Sequence, residues 1–145
     1  MADNLTPEHR KKAMRAVKSK GTKPERILFS MLAGMHLNGW KKNVDNLTGK
    51  PDVVFYKNKV AIFVDGCFWH GCSICKKIPD SNKEYWQRKI NRNIELSKEY
   101  TFILEDEGWI VIRLWEHQLY DLNERNKIRL KIKDTLMKEP IYGCT

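Results

Sequence analysis

The chain has 145 residues, enough for one packed core and too few for two, and its 41% hydrophobic content with five each of Trp, Tyr and Phe excludes a disordered polymer. Lys and Arg number 27 against 18 Asp and Glu, a formal net charge of +9, so polyanions are attracted and nucleic acid leads the partner classes, ahead of a charge that serves solubility alone. No apolar run nears the roughly 20 residues that span a bilayer, and the first residues lack the apolar core of a secretion signal, which predicts a cytoplasmic protein with no membrane partner.

Thr6-Pro7-Glu8 opens a basic stretch from His9 to Lys20, with Pro placed for a first helical turn, so residues 1–21 are expected to form a positively charged arm. Thr22-Lys23-Pro24-Glu25 then reads as a capping box for a helix whose apolar face is Ile27, Leu28, Met31, Leu32 and Met35. Short strands are predicted at about 40 to 44, 52 to 56 and 59 to 65, the last two joined as a hairpin at Lys57-Asn58. Ser81-Asn82-Lys83-Glu84 is a second capping box, starting a long helix that Gly108 ends, with Trp86, Ile90, Ile94 and Phe102 on its buried or binding face. The nearly continuous apolar run Trp109 to Trp115 predicts a strand covered on both sides and central in its sheet. A last helix from about Leu122 to Met137 sets Ile128, Ile132 and Leu136 against a solvated charged face. The expected fold class is α/β with a mixed sheet, in the order helix, three strands, helix, strand, helix, and the domain limits are 1–21 for the arm, 22–139 for the folded domain and 140–145 for a tail.

Three of the four cysteines, Cys67, Cys72 and Cys75, sit within nine residues in a loop that follows a strand, which favours one tetrahedral Zn²⁺ over disulfides. The fourth ligand is open among His117, His70 and Cys144; His117 is preferred because it lies just beyond the apolar strand and would tie the loop to the sheet. Asp52 starts one strand of the hairpin and Asp65 ends the other, so the ladder can bring two carboxylates together as a Mg²⁺ site. His70 is the natural general base near neutral pH, and a zinc ligand on the plainer reading. Glu25 serves either as a third acidic group or only as a helix cap.

The run Phe63-Val64-Asp65-Gly66-Cys67-Phe68-Trp69-His70-Gly71-Cys72 closely resembles the very-short-patch-repair (Vsr) DNA mismatch endonucleases. The resemblance extends from Lys12-Ala13-Met14-Arg15 through Thr22-Lys23-Pro24-Glu25, Gly49-Lys50-Pro51-Asp52, Glu84-Tyr85-Trp86, and Lys89-Ile90 with Asn93, to Gly108-Trp109 and Trp115-Glu116-His117. It implies a restriction-endonuclease-like fold and a nuclease that nicks one strand of duplex DNA 5′ to the T of a T:G mismatch left by 5-methylcytosine deamination. Carried over, Asp52 and the backbone carbonyl of Val64 resemble the Mg²⁺ ligands, His70 the base and Glu25 an accessory acid. Cys67, Cys72, Cys75 and His117 resemble the zinc set. Phe68, Trp69 and Trp86 resemble an aromatic wedge, Met14 a side chain entering from the opposite groove, and Lys89 and Asn93 readers of base edges. Where relatives often carry an Asp that orients the base this chain has Ser97, and Asp65 is the candidate compensation. The resemblance also implies a cytosine methyltransferase and a MutL-type mismatch-repair protein as partners, and a monomer working on the bacterial nucleoid. Two readings compete with it: a restriction-type nuclease cutting paired DNA, and a non-catalytic zinc DNA-binding module.

Overall fold

A computed structural model describes residues 22–67, 72 and 81–137. The expected arm helix and Met14, Phe68, Trp69, His70, Cys75 and Cys144 lie outside the described residues.

The first helix, α1 (Lys23–Gly34), begins where the sequence predicts: Thr22 is its extended N-cap, and the Glu25 carboxylate accepts the Thr22 N–H at 3.3 Å. Two short strands follow, β1 (Trp40–Lys42) and β2 (Val53–Phe55), and then β3 (Val60–Asp65). β1 pairs antiparallel with β2 and β2 with β3, the hairpin closing through a bond from the Lys59 N–H to the Tyr56 carbonyl. After the long helix α2 (Lys83–Asp106), β4 (Ile110–Trp115) returns parallel to β3, with Val60 opposite Ile110 and Asp65 opposite Trp115. A 3₁₀ turn (Glu116–Tyr120) leads into α3 (Leu122–Met137), whose first N–H groups are capped by Asp121 Oδ1.

Strand alternation decides what each face meets. Val53, Phe55, Val60, Ile62, Ile112 and Leu114 point to one side, where Leu28, Met31 and Leu32 of α1, Leu119, and Ile128 and Ile132 of α3 complete the main core. Ala61 and Phe63 point to the other side and pack with Leu104 of α2, Trp109 and Val111. The result is three layers: α1 and α3, the four-stranded mixed sheet, and α2.

Three local expectations are corrected. β4 is not central, because the sheet order is β1-β2-β3-β4 and β4 has one strand neighbour among the described residues. Its apolar run reflects helices over both faces of the sheet, which does not require a strand on both edges. The box at Ser81 does not form; Asn82 is the N-cap, held in the left-handed region at φ 59° with no side-chain cap bond. Phe102 is exposed, and Leu104, completely buried, fills the core position that the helix offers at that end.

Gly49, in the turn that delivers Asp52 to β2, has φ +77°. A Cβ there would lie 3.1 Å from both Phe63 Cε1 and Tyr100 Cβ, so the position needs glycine for its backbone and for its space. Among the described residues no helix is long and apolar enough to cross a membrane.

Candidate active site and metal cluster

The parallel pairing of β3 with β4 runs at a constant offset of 50 residues, and both chains continue past the last pair, Asp65 with Trp115. Carrying that offset two residues further sets Cys67 beside His117. Cys67 Sγ lies 3.3 Å from His117 Nδ1, and Cys72 Sγ lies 3.6 Å from the same nitrogen. The Cys72 N–H donates to the Cys67 carbonyl at 3.0 Å. Both cysteines are buried. The three ligand atoms fall within 4.8 Å of one another, as required of groups that hold one metal ion. Ligands about 2.0 to 2.3 Å from a tetrahedral ion are separated by about 3.5 Å, so the spacing fits. Glu116 adds a tie, its carboxylate accepting the Cys67 N–H at 3.3 Å.

The second site lies at the same end of β3. Asp52, just before β2, donates its backbone N–H to the Ile62 carbonyl at 3.0 Å, while its carboxylate Oδ2 accepts the Val64 N–H at 2.7 Å. Because alternate residues of a strand turn their backbone groups to the same side, the Val64 carbonyl points from β3 toward the side where Asp52 lies. Glu25, 4% exposed, reaches in from the first turn of α1 and shares a hydrogen bond with the Asp52 carboxyl. Glu25 therefore both caps α1 and lies against the Asp52 carboxyl.

Burial, that shared hydrogen bond and the charges of Glu25 and Asp65 push the Asp52 carboxyl up to about 8, against the opposing pull of the Val64 N–H. A buried acid in this state ionises readily once a cation offsets its neighbours. Two carboxylates and a backbone carbonyl form an oxygen-only donor set, which suits a hard divalent ion, while the thiol–imidazole cluster suits a softer one.

Asp65 is tied to an element that sequence reasoning passed over. Arg113 of β4 donates from Nη1 to Asp65 Oδ1 at 2.7 Å, from Nε to Thr101 Oγ1 at 2.7 Å and from Nη2 to the Ser97 carbonyl at 3.1 Å. Its guanidinium carbon lies 4.2 Å from the centroid of the Phe63 ring. The signal was present in the sequence, since a charged residue inside an apolar strand demands buried partners. Of the proposed DNA-contacting residues, Trp86 is buried at 5% exposure with the exposed Tyr85 ring set edge-on against it at 5.1 Å. Lys89 is exposed and Asn93 half-buried on the same helix.

A carboxylate cluster suited to a divalent ion, beside a thiol–imidazole cluster on a helix-flanked mixed sheet and in a chain of net charge +9, is the equipment of a metal-dependent nuclease. Comparison with known proteins specifies the kind. The family model described as DNA mismatch endonuclease Vsr matches residues 2–77. The chain is 43% identical over 136 residues to the type II nicking enzyme V.NmeDIP of Neisseria meningitidis serogroup C, covering 91% of each chain. It is 40% identical over 137 residues to the type II nicking enzyme V.HpaIIP of Haemophilus parainfluenzae, covering 92% of this chain and 95% of the relative. It is 36% identical over 118 residues to the DNA mismatch endonuclease Vsr of Escherichia coli, covering 80% and 74% respectively. The chain belongs to the Vsr family and is a DNA endonuclease.

Proposed function

We propose that the protein is a Mg²⁺-dependent nickase that cuts one strand of duplex DNA 5′ to the T of a T:G mismatch arising from 5-methylcytosine deamination. The observation that carries the reading is the buried Asp52 carboxyl, pushed up to about 8 beside Glu25 and Asp65 and oriented by the Val64 N–H, an arrangement that a bound cation would relieve. The mismatch preference rests on the Escherichia coli relative's name and on the motif residues that resemble the family.

In this reading Asp52 and the Val64 carbonyl hold Mg²⁺, with Glu25 as accessory acid and Asp65 beside them. The ion would supply charge stabilisation at the scissile phosphate. His70 takes the proton from the attacking water. Phe68, Trp69 and Trp86 unstack the mispair from one groove with Met14 entering from the other, and Lys89 and Asn93 read base edges. Trp86 itself is buried at 5% exposure, and Tyr85 is the exposed ring next to it. Cys67, Cys72, Cys75 and His117 hold a structural Zn²⁺; the spacing of three of the four supports this. The domain adopts a restriction-endonuclease-like fold spanning 22–139, preceded by a DNA-contacting arm at 1–21 and followed by a tail at 140–145. It works in the cytoplasm on the nucleoid, as a monomer, with a MutL-type protein among its partners.

Two relatives are named type II nicking enzymes with no mismatch in the name, and the second reading is a restriction-type nuclease that cuts paired DNA. One assay separates the two: nicking of a T:G duplex and of its paired counterpart with and without Mg²⁺, for the wild-type protein and for Asp52→Ala. The expected result is Mg²⁺-dependent nicking of the T:G duplex only, abolished in Asp52→Ala. Equal cutting of the paired duplex overturns the specificity, and nicking by Asp52→Ala overturns the site.

A further inference from the structure

The Val64 peptide has to be rigid for the proposed site to work, because residue 64 offers a backbone carbonyl and no side-chain ligand. Both of its chain neighbours are gripped by one side chain. Arg113 lies opposite Phe63 in the parallel ladder, stacks its guanidinium over that ring at 4.2 Å, and binds the Asp65 carboxylate at 2.7 Å. Phe63 and Asp65 stand two apart on the α2 face of β3, so a single planar group can bridge them across Val64. Thr101 and Ser97, one turn apart on α2, take the remaining directions of the guanidinium fork at 2.7 and 3.1 Å. All three nitrogens of the fork are thus used, and the pair is mostly withdrawn from solvent, with side-chain exposures of 22% for Arg113 and 11% for Asp65.

We infer that Arg113 is a positioning residue for the metal site, acting through Phe63 and Asp65 to fix the Val64 peptide. The Val64 N–H, in the peptide group shared with Phe63, orients the Asp52 carboxylate, and the Val64 carbonyl, in the peptide group shared with Asp65, lies on the same side of the strand. The clamp also gives Asp65 a definite role, anchoring the end of β3 to β4 and to α2 immediately before the chain enters the cysteine loop. Lysine cannot do the same work, since a point charge meets Asp65 without holding Thr101 and Ser97 in the plane of a fork. This inference rests on the proposed assignment of Asp52 and Val64 as the cation's ligands.

The sign of one measurement separates positioning from plain electrostatics. Removing a positive charge from beside an acidic cluster, with nothing else altered, tightens cation binding. Loss of ligand orientation loosens it. Mn²⁺ binding to the full-length protein without DNA, followed through the electron paramagnetic resonance signal of the free ion, should therefore weaken by about tenfold or more in Arg113→Met. Arg113→Lys should fall between this variant and the wild type, and nicking at saturating Mg²⁺ should drop in the same order. Unchanged or tighter Mn²⁺ binding in Arg113→Met overturns the inference. Should Arg113→Met not fold, Arg113→Lys decides by the same reading, weaker binding supporting the clamp and wild-type binding overturning it. Asp52→Ala is the companion control. If it retains Mn²⁺ and nicking, the proposed site itself is wrong; if it loses both while Arg113→Met binds Mn²⁺ like the wild type, only the clamp fails.

Discussion

Replacing Asp52 by Asn removes a charge that the folded protein ionises with difficulty and leaves the shape of the side chain intact. The amide oxygen still accepts the Val64 N–H, and its nitrogen can donate to Glu25. In the unfolded chain the Asp52 carboxyl titrates near 3.8, and in the folded protein near 8. Between these values the folded state keeps a proton that the unfolded chain has released, so stability is full at low pH and falls as pH rises through the window. At about 1.4 kcal/mol per unit, the loss amounts to several kcal/mol by pH 8, and the Asn variant escapes it. The check is urea unfolding of both proteins from about pH 5 to pH 8, without added Mg²⁺ and without a chelator that would strip the thiol cluster. Asp52→Asn should be the more stable protein at pH 8 and show the flatter pH dependence, while being inactive. Millimolar Mg²⁺ should narrow the gap by stabilising the wild type, since a bound cation favours the ionised carboxylate. An Asn variant that is less stable at pH 8, with the same pH slope as the wild type, would refute the reasoning.

Two further outcomes bear on the scaffold. Cys67→Ser should lose about one zinc per chain by elemental analysis and lower the unfolding temperature, because metal ligation couples to folding; wild-type protein without zinc would remove that assignment. Gly49→Ala should cost about 1 to 3 kcal/mol in unfolding free energy, since its Cβ meets Phe63 and Tyr100 at 3.1 Å with the backbone at φ +77°. The same change should also lower nicking through the displaced Asp52 turn, and a neutral substitution would show that the turn relaxes freely.

Helix α1 was legible because a local cap signal, Thr22 to Glu25, stands beside the apolar stripe of Leu28, Met31 and Leu32, whereas α2 and α3 were legible from their apolar positions, since the box read at Ser81 does not form. The hairpin was legible from β-branched runs on either side of Lys57-Asn58. The place of β4 in the sheet was not legible, since an apolar run reports coverage and not the number of neighbouring strands. The ion pair of Asp65 was not legible for a related reason: its partner Arg113 stands 48 residues away, and no periodicity links them.

The sequence by itself determined the order of elements, the charge, and the residue types able to hold a metal or contact DNA, because these are properties of short segments. It also carried the family, through a run of chemistry-bearing residues at fixed spacing. Only the tertiary structure decided which of those groups meet. The parallel register of β3 and β4 sets His117 against Cys67, packing draws Glu25 onto Asp52, and Arg113 spans Phe63 and Asp65, since such contacts depend on how distant strands pair and not on any local propensity.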